Sequence, residues 1–285
     1  MSSPTPSRVA VIGGGRMGAG IAQVFATAGS SVTVAEAADR DAAAERVRIG
    51  LDRATERDAL GGQPAAEVLS RVTFVGAPED IPSDADLVVE AVPEDPVLKV
   101  EVLGIVGKTV SASTIIASNT SSLSISELGT ALEDPARFIG MHFFNPVPVS
   151  DLVEIVRAPA TSESTTAAVR TWVQGLGKSA VVVNDSPGFA TSRLGVCLGL
   201  EAIRMVEEGV ADAESIDRAM ELGYRHPMGP LRSTDLVGLD VRLAIAEHLA
   251  TTLGDRFAPP QLLRDKVARG ELGRKSGKGF YEWNR

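Results

Sequence analysis

The sequence predicts an α/β protein, a mostly parallel sheet with helices on both faces, followed by an all-helical C-terminal domain. Three observations carry this reading. Short apolar runs alternate with helical stretches through the first two thirds of the chain. A glycine cluster, Gly13-Gly14-Gly15-Arg16-Met17-Gly18, stands between the first such run and the first helix. After Asn184 the strand signal stops, and apolar residues recur at helical spacing to the C-terminus. That change of period sets a boundary near residue 185 and gives two domains, 1–184 and 185–285.

The elements follow in order. Met1 to Arg8 is rich in Ser and Pro and lacks an apolar stretch, so it reads as a frayed tail and not as a secretory signal. Residues 8–12 form the first strand and 17–28 the first helix. A second strand spans 31–36, and a charged helix over 39–57 is broken by Gly61-Gly62-Gln63-Pro64. Further strands are expected at 71–75, 86–92, 114–118, 138–143, 152–156 and 180–183. Helices then fill 189–208, 213–221, 231–253 and 260–269.

Composition excludes several classes. The longest apolar runs are strand-sized, far short of the ~20 residues a membrane helix needs. A net charge of −9 argues against nucleic acid, because phosphate binding wants a basic face. A polyanionic cofactor must therefore be held by helix N-termini, backbone amides and a few placed cations. One cysteine, Cys197, excludes an internal disulfide and fits a reducing cytoplasm. Its setting, Leu194-Gly-Val-Cys-Leu-Gly-Leu200, predicts a buried apolar thiol. Three scattered histidines and one cysteine offer no metal-ligand spacing.

The glycine cluster matches G-x-G-x-x-G after a strand and at the head of a helix. Gly13 permits the tight turn, Gly15 lets the backbone approach a pyrophosphate, and Gly18 allows close helix–strand packing. Glu36, eighteen positions after Gly18, ends the second strand; a carboxylate there accepts from both ribose hydroxyls and repels a 2′-phosphate. NAD is the expected cofactor, with Gly13, Gly15, Met17, Gly18 and Glu36 as candidate contacts. The plainer reading is a glycine turn without a ligand. Glu94 and Lys99 follow the strand over 86–92 at its carboxyl end, where such sheets bind ligands. Taken alone, each also reads as a solvated surface charge.

His142 lies in Met141-His-Phe-Phe-Asn-Pro-Val-Pro148, and twelve residues later comes Glu154. A proline-broken turn between two β-type runs folds the carboxylate back onto the imidazole. That is what a general base needs: neutral imidazole takes a proton near pH 7, and the carboxylate fixes its tautomer. The alternative is a satisfied core histidine. His226 and His248 read as structural or solvated. Ser118-Asn-Thr-Ser-Ser-Leu123 follows another strand end, where its hydroxyls can bond a substrate oxygen. They can equally serve a helix N-cap, since Ser124-Ile-Ser-Glu127 has capping-box spacing.

These motifs occur in order with Asp185-Ser-Pro-Gly-Phe189, His226-Pro-Met-Gly-Pro230, Asp235-Leu-Val-Gly-Leu-Asp240 and Gly273-Arg-Lys-Ser-Gly-Lys-Gly-Phe-Tyr281. Together they resemble the L-3-hydroxyacyl-CoA dehydrogenase family, in its 3-hydroxybutyryl-CoA dehydrogenase type, over nearly the whole chain. The resemblance implies a Rossmann-like first domain and a helical second domain that binds substrate and forms a homodimer. It implies NAD-dependent, reversible oxidation of a short-chain L-3-hydroxyacyl-CoA to the 3-ketoacyl-CoA. His142 matches the family's base and Glu154 its supporting carboxylate. Ser121 matches a residue touching both substrate hydroxyl and cofactor, and Asn145 a nicotinamide contact. Glu36, Glu94, Lys99 and Lys275 match other cofactor contacts.

One position departs. The family usually reads Pro-Gly-Phe-x-x-Asn-Arg, where this chain has Pro187-Gly-Phe-Ala-Thr-Ser192-Arg193. The asparagine helps position the acyl thioester; a serine hydroxyl is shorter with one donor, so Ser192 acts through a water or a shifted substrate. The family's usual CoA ligands are also not evident. Arg46, Arg53 and Arg57 share one helical face and can meet the CoA phosphates. With Glu45, Asp52, Glu56 and Asp58 interleaved, an ordinary solvated face is the alternative. Two competing functions remain: a dehydrogenase of free hydroxy acids such as gulonate or carnitine, and a catalytically silent NAD-binding protein.

Overall fold

The N-terminal apolar run forms β1 (Arg8–Ile12), buried after Arg8, and Gly13 turns the chain into α1 (Arg16–Thr27). Then come β2 (Ser31–Ala35), α2 (Arg40–Glu56), α3 (Ala65–Leu69), β3 (Val72–Val75) and β4 (Leu87–Glu90). α4 (Pro96–Thr109), β5 (Ile115–Ser118), α5 (Ile125–Gly129) and β6 (Phe138–Phe143) follow, then β7 (Leu152–Arg157), α6 (Glu163–Gly175) and β8 (Ser179–Asn184). The structure, a computed structural model, describes residues 5–283. The chain divides into one unit ending at Asp185 and another beginning at Ser186.

The eight strands lie in the order β3-β2-β1-β4-β5-β6-β7-β8. β1 to β6 run parallel, β7 turns back antiparallel to β6, and β8 runs parallel to β7. The order reverses between β1 and β4, the switch point where such sheets open a ligand crevice. β4, β5 and β6 are buried at every residue, which is why they read as unbroken apolar runs. Several helices start where the sequence offers caps. Asp39 accepts from the Ala42 N–H, Asp95 caps α4 ahead of Pro96, and Ser162 caps α6.

The tail expected to fray is tied down from Thr5 onward. Thr5 is buried, Ser30 Oγ donates to the Pro6 carbonyl at 2.6 Å, and Asp86 accepts from the Ser7 and Arg8 amides. Residues 1–4 lie outside the described residues. Expected strand limits are trimmed at several ends, and Glu36 falls one residue past β2.

The second unit contains α7 (Thr191–Glu207), α8 (Ala213–Gly223), α9 (Pro230–Val237), α10 (Leu239–Leu253) and α11 (Gln261–Ala268) around a core that includes Leu200, Ile203, Leu231, Leu239 and Leu249. The single helix expected over 231–253 is two, because Gly238 sits at φ +108°, outside any helical conformation. Cys197 is exposed, not buried as expected. Its apolar neighbours misled: Leu194, Cys197 and Leu198 share the outward face of α7, whereas Val196 and Leu200 face the core. Two buried carboxylates fasten the C-terminal segment. Asp235 accepts from the Phe280 and Tyr281 amides and from Trp283 Nε1; Asp217 accepts from the first amides of α9 and from the Tyr281 hydroxyl. The family-like motifs around residues 235 and 281 are thus joined by hydrogen bonds. Among the described residues no helix is long and apolar enough to cross a membrane.

Candidate active site

The glycine loop is dictated by space. A Cβ on Gly13 would stand 2.8 Å from the Ala91 carbonyl oxygen, and one on Gly18 would stand 1.8 Å from the Gly13 oxygen. Gly15 faces open space and caps α1 without a side-chain acceptor. The first amides of α1, including that of Met17, are therefore left for an outside anion. Arg46 of α2 donates from Nη1 to the Gly14 carbonyl at 3.1 Å. Arg53 and Arg57 are exposed further along the same helix and at its end.

Glu36 is held in place by amides. Its Oε2 accepts from Gly14 at 2.8 Å and its Oε1 from Ala38 at 2.9 Å. Beside it lies a cavity of about 510 Å³, whose walls include Glu36, Asp39, Arg40, Asp41 and Asp80. Four carboxylates facing one guanidinium make a poor seat for an extra phosphate and a good one for hydroxyl donors. The loop, the uncapped helix start and Glu36 together fit a dinucleotide whose ribose carries no 2′-phosphate.

A second cluster sits at the ends of β4 and β5. Lys99 is 1% exposed, so the solvated reading fails for it. Its Nζ lies 2.7 Å from Glu90 Oε1 and 3.3 Å from Glu94 Oε2, and donates to the Val92 carbonyl. Glu90, itself fully buried, also accepts from Ser118 Oγ and the Val92 amide. Glu94 collects the Thr120 hydroxyl at 2.6 Å and both the amide and hydroxyl of Ser121 at 2.8 and 3.1 Å. Burial raises the Glu94 carboxyl, but Lys99 and these hydrogen bonds outweigh it and hold the group below the ordinary carboxylate range. The hydroxyl stretch thus serves Glu94, while Ser124 separately caps α5 by accepting from the Glu127 amide.

His142 and Glu154 are direct cross-strand partners in the β6–β7 ladder. Nδ1 lies 2.9 Å from Glu154 Oε2, with Glu154 wholly buried and His142 7% exposed. The β6–β7 loop carries Asn145, which is exposed. Two groups that sequence reasoning passed over fix this hairpin. Asn119 Oδ1 accepts from the Phe143 amide at 2.9 Å. Lys178 is buried and donates to the Val147 and Ser150 carbonyls at 2.7 and 2.6 Å. Burial pulls the Lys178 ammonium below its ordinary value, against the opposing pull of Asp151. No local pattern distinguishes Lys178 from a surface lysine in the sequence.

The remaining candidates belong to the helical unit. Ser192 is half-buried in the first turn of α7. Lys275 pairs with Asp240 at 2.5 Å. His226 and His248 are both partly exposed. Among the described residues no group of three or more His, Cys, Asp or Glu is placed to hold a metal ion.

The family model described as 3-hydroxyacyl-CoA dehydrogenase, NAD binding domain, matches residues 8–186. The one described as 3-hydroxyacyl-CoA dehydrogenase, C-terminal domain, matches residues 188–283. A Deinococcus radiodurans protein named "Probable 3-hydroxybutyryl-CoA dehydrogenase" is 45% identical over 276 residues, covering 96% of this chain and 99% of its own. The crystal structure of FadB2 from Mycobacterium tuberculosis superposes with a TM-score of 0.93 at 41% identity, covering 98% of this chain and 100% of that one. The (S)-3-hydroxybutyryl-CoA dehydrogenase of Ralstonia eutropha gives 0.92 at 40% identity, covering 99% and 100%. The two family models run in order along almost the full sequence, and the chain belongs to the 3-hydroxyacyl-CoA dehydrogenase family.

Proposed function

We propose that this protein catalyses the reversible NAD-dependent oxidation of a short-chain L-3-hydroxyacyl-CoA, 3-hydroxybutyryl-CoA foremost, to the 3-ketoacyl-CoA. The observation that carries the reading is the His142–Glu154 pair, a strand-borne imidazole held by a buried carboxylate in a chain of this family. Bound NAD supplies the hydride acceptor. With Nδ1–H donated to Glu154, the neutral ring carries its basic lone pair on Nε2, where the proton of the 3-hydroxyl goes. Glu154 then faces the imidazolium and stabilises it. Ser121, whose hydroxyl points at Glu94 without substrate, turns to donate to the oxygen of the substrate hydroxyl, whose own proton goes to His142. Asn145 contacts the nicotinamide, Glu36 the ribose, and the amides over Gly13–Gly18 the pyrophosphate. Lys99 acts through Glu94, and Lys275 is a further cofactor contact. Arg53 and Arg57 meet the CoA phosphates, while Arg46 braces the glycine loop.

The test is His142→Gln, assayed by NADH formation from L-3-hydroxybutyryl-CoA. Loss of the base lowers kcat by about 10²–10⁴-fold with NAD affinity retained. Near-full activity with NAD bound would overturn the assignment. Faster turnover of free 3-hydroxy acids than of CoA thioesters would move the substrate class. The helical unit exposes Leu194, Leu198, Val237 and Val241, an apolar set that supports pairing with a second copy. The exposed lone thiol suits a cytoplasmic location. Light scattering of the purified protein reads the first of these.

A further inference from the structure

The helical unit contains an enclosed cation that none of its described residues neutralises. Ser192, Gly195 and Gly199 recur at i, i+3 and i+7 of α7 and so share one side of the helix. Against Gly195 lies the guanidinium of Arg242 from α10: an added Cβ would stand 2.9 Å from Nη1 and 3.4 Å from Nη2. Against Gly199 lies Thr234 of α9, its Oγ1 2.8 Å from an added Cβ. Arg242 is 9% exposed and Thr234 1%. Neither side chain has an ion-pair or hydrogen-bond partner among the described residues, and Arg242 Nε and Thr234 Oγ1 are sealed from the surface. The Nη1–Nη2 edge is the part of the guanidinium that keeps access.

Two helix-interior glycines weaken α7, yet any larger residue at 195 would displace the guanidinium. An enclosed cation without a counter-charge is costly, and a site holding one is completed by an anion from outside. Burial alone draws Arg242 down to about 10, so it remains charged at neutral pH. A guanidinium edge matches a planar oxyanion through two parallel hydrogen bonds.

We propose that Arg242, seated against Gly195 of α7, forms an oxyanion-binding site in the helical unit that takes a carboxylate or phosphate group of the thioester substrate. Only the identity of the carrier molecule rests on the dehydrogenase reading. The site itself stands on the geometry of α7, α9 and α10. The two sources of the oxyanion are the far end of the acyl chain and the 3′-phosphate of CoA, the pyrophosphate falling to Arg53 and Arg57.

Three thioesters separate them: 3-hydroxyhexanoyl-CoA, its six-carbon analogue ending in a second carboxylate, and 3-hydroxyhexanoyl-dephospho-CoA. If the acyl end is the source, Arg242→Met lowers kcat/KM by about 10–100-fold on the carboxylate-ended substrate and leaves the others within about threefold. If the CoA 3′-phosphate is the source, both CoA thioesters lose that factor and the dephospho form does not. An equal loss, or none, on all three overturns the proposal. Gly195→Ala, whose methyl group would stand 2.9 Å from Nη1 and forces the guanidinium to shift, changes the same ratios in the same direction and by less, should Arg242→Met fail to fold. If the wild type turns over neither these three nor 3-hydroxybutyryl-CoA, the dehydrogenase reading fails separately. Thermal protection by adipate or inorganic phosphate, present in wild type and absent in Arg242→Met, would then uphold the anion site, and its absence from both would overturn it.

Discussion

Glu154→Gln isolates the electrostatic half of the His142 pair. The glutamine keeps the side-chain length, and its amide oxygen can still accept from Nδ1–H at the 2.9 Å separation, so the ring stays oriented. What disappears is the negative charge opposite the imidazolium that forms as the substrate proton moves. Two unit charges about 4 Å apart interact by about 4 kcal/mol at an effective dielectric of ~20, against about 1 kcal/mol in water. The complete burial of Glu154 favours the larger figure. At the transition state the ring carries between half and all of its final charge, so about 2–4 kcal/mol is lost and kcat falls about 30–1000-fold.

The assay is NADH appearance from L-3-hydroxybutyryl-CoA at saturating NAD, with NAD affinity and the thermal midpoint measured on the same preparation. Glu154→Ala sets the scale, because it removes orientation as well as charge and leaves Nδ1–H without this acceptor; it should be slower again. A Glu154→Gln enzyme that folds, binds NAD and retains kcat within about fivefold of wild type would refute the reasoning. Glu154 would then orient the ring without stabilising its charge.

Three further outcomes follow from the second cluster and the ribose carboxylate. Lys99→Met leaves Glu90 buried without its cation and should destabilise the fold by about 3–5 kcal/mol in urea titration; a change under about 1 kcal/mol would show that Ser118 and the Val92 amide suffice for Glu90. Glu94, held below the ordinary carboxylate range, stabilises the folded state fully above the unfolded value near pH 4.3, and this contribution is lost as pH falls through the lower folded value. The stability gap between wild type and Glu94→Gln should therefore be constant near neutrality and close on acidification; a gap that widens contradicts the sign. Glu36→Ser removes the acceptor for the ribose hydroxyls, so KM for NAD should rise about tenfold while that for NADP falls, and an unchanged ratio of kcat/KM values would remove Glu36 from cofactor selection.

What could be read in the sequence depended on how local the physics was. The parallel strands were legible because burial on both faces leaves only apolar residues, as in β4, β5 and β6. The glycine loop was legible because three positions within six residues face either backbone or open space. Lys99 was not, since a lysine in a helix is ordinarily solvated. Its burial arises only when β4 and β5 pair with Glu90 level with Ser118. Cys197 was misread because apolar neighbours in sequence are not neighbours on a helix surface. Gly238 was missed because a glycine inside a helical pattern is tolerated until its φ is known.

The His142–Glu154 pair lies at the legible extreme for a structural reason. The carboxyl ends of β1, β2, β4 and β5 finish level, with Ile12, Ala35, Glu90 and Ser118 in register. The cofactor-side residues come from the loops just beyond them. β6 overshoots this line to Phe143, and the antiparallel β7 returns along it, so one hairpin supplies imidazole, carboxylate and the Asn145 loop. Twelve residues separate His142 from Glu154, close enough for strand alternation and a proline turn to predict the meeting. The groups that hold the hairpin still come from further away: Asn119 lies 24 residues from Phe143, and Lys178 lies 31 from Val147. A local pattern specifies the imidazole–carboxylate pair, whereas the groups that keep it in place are selected by the sheet order, and no window of sequence contains that order.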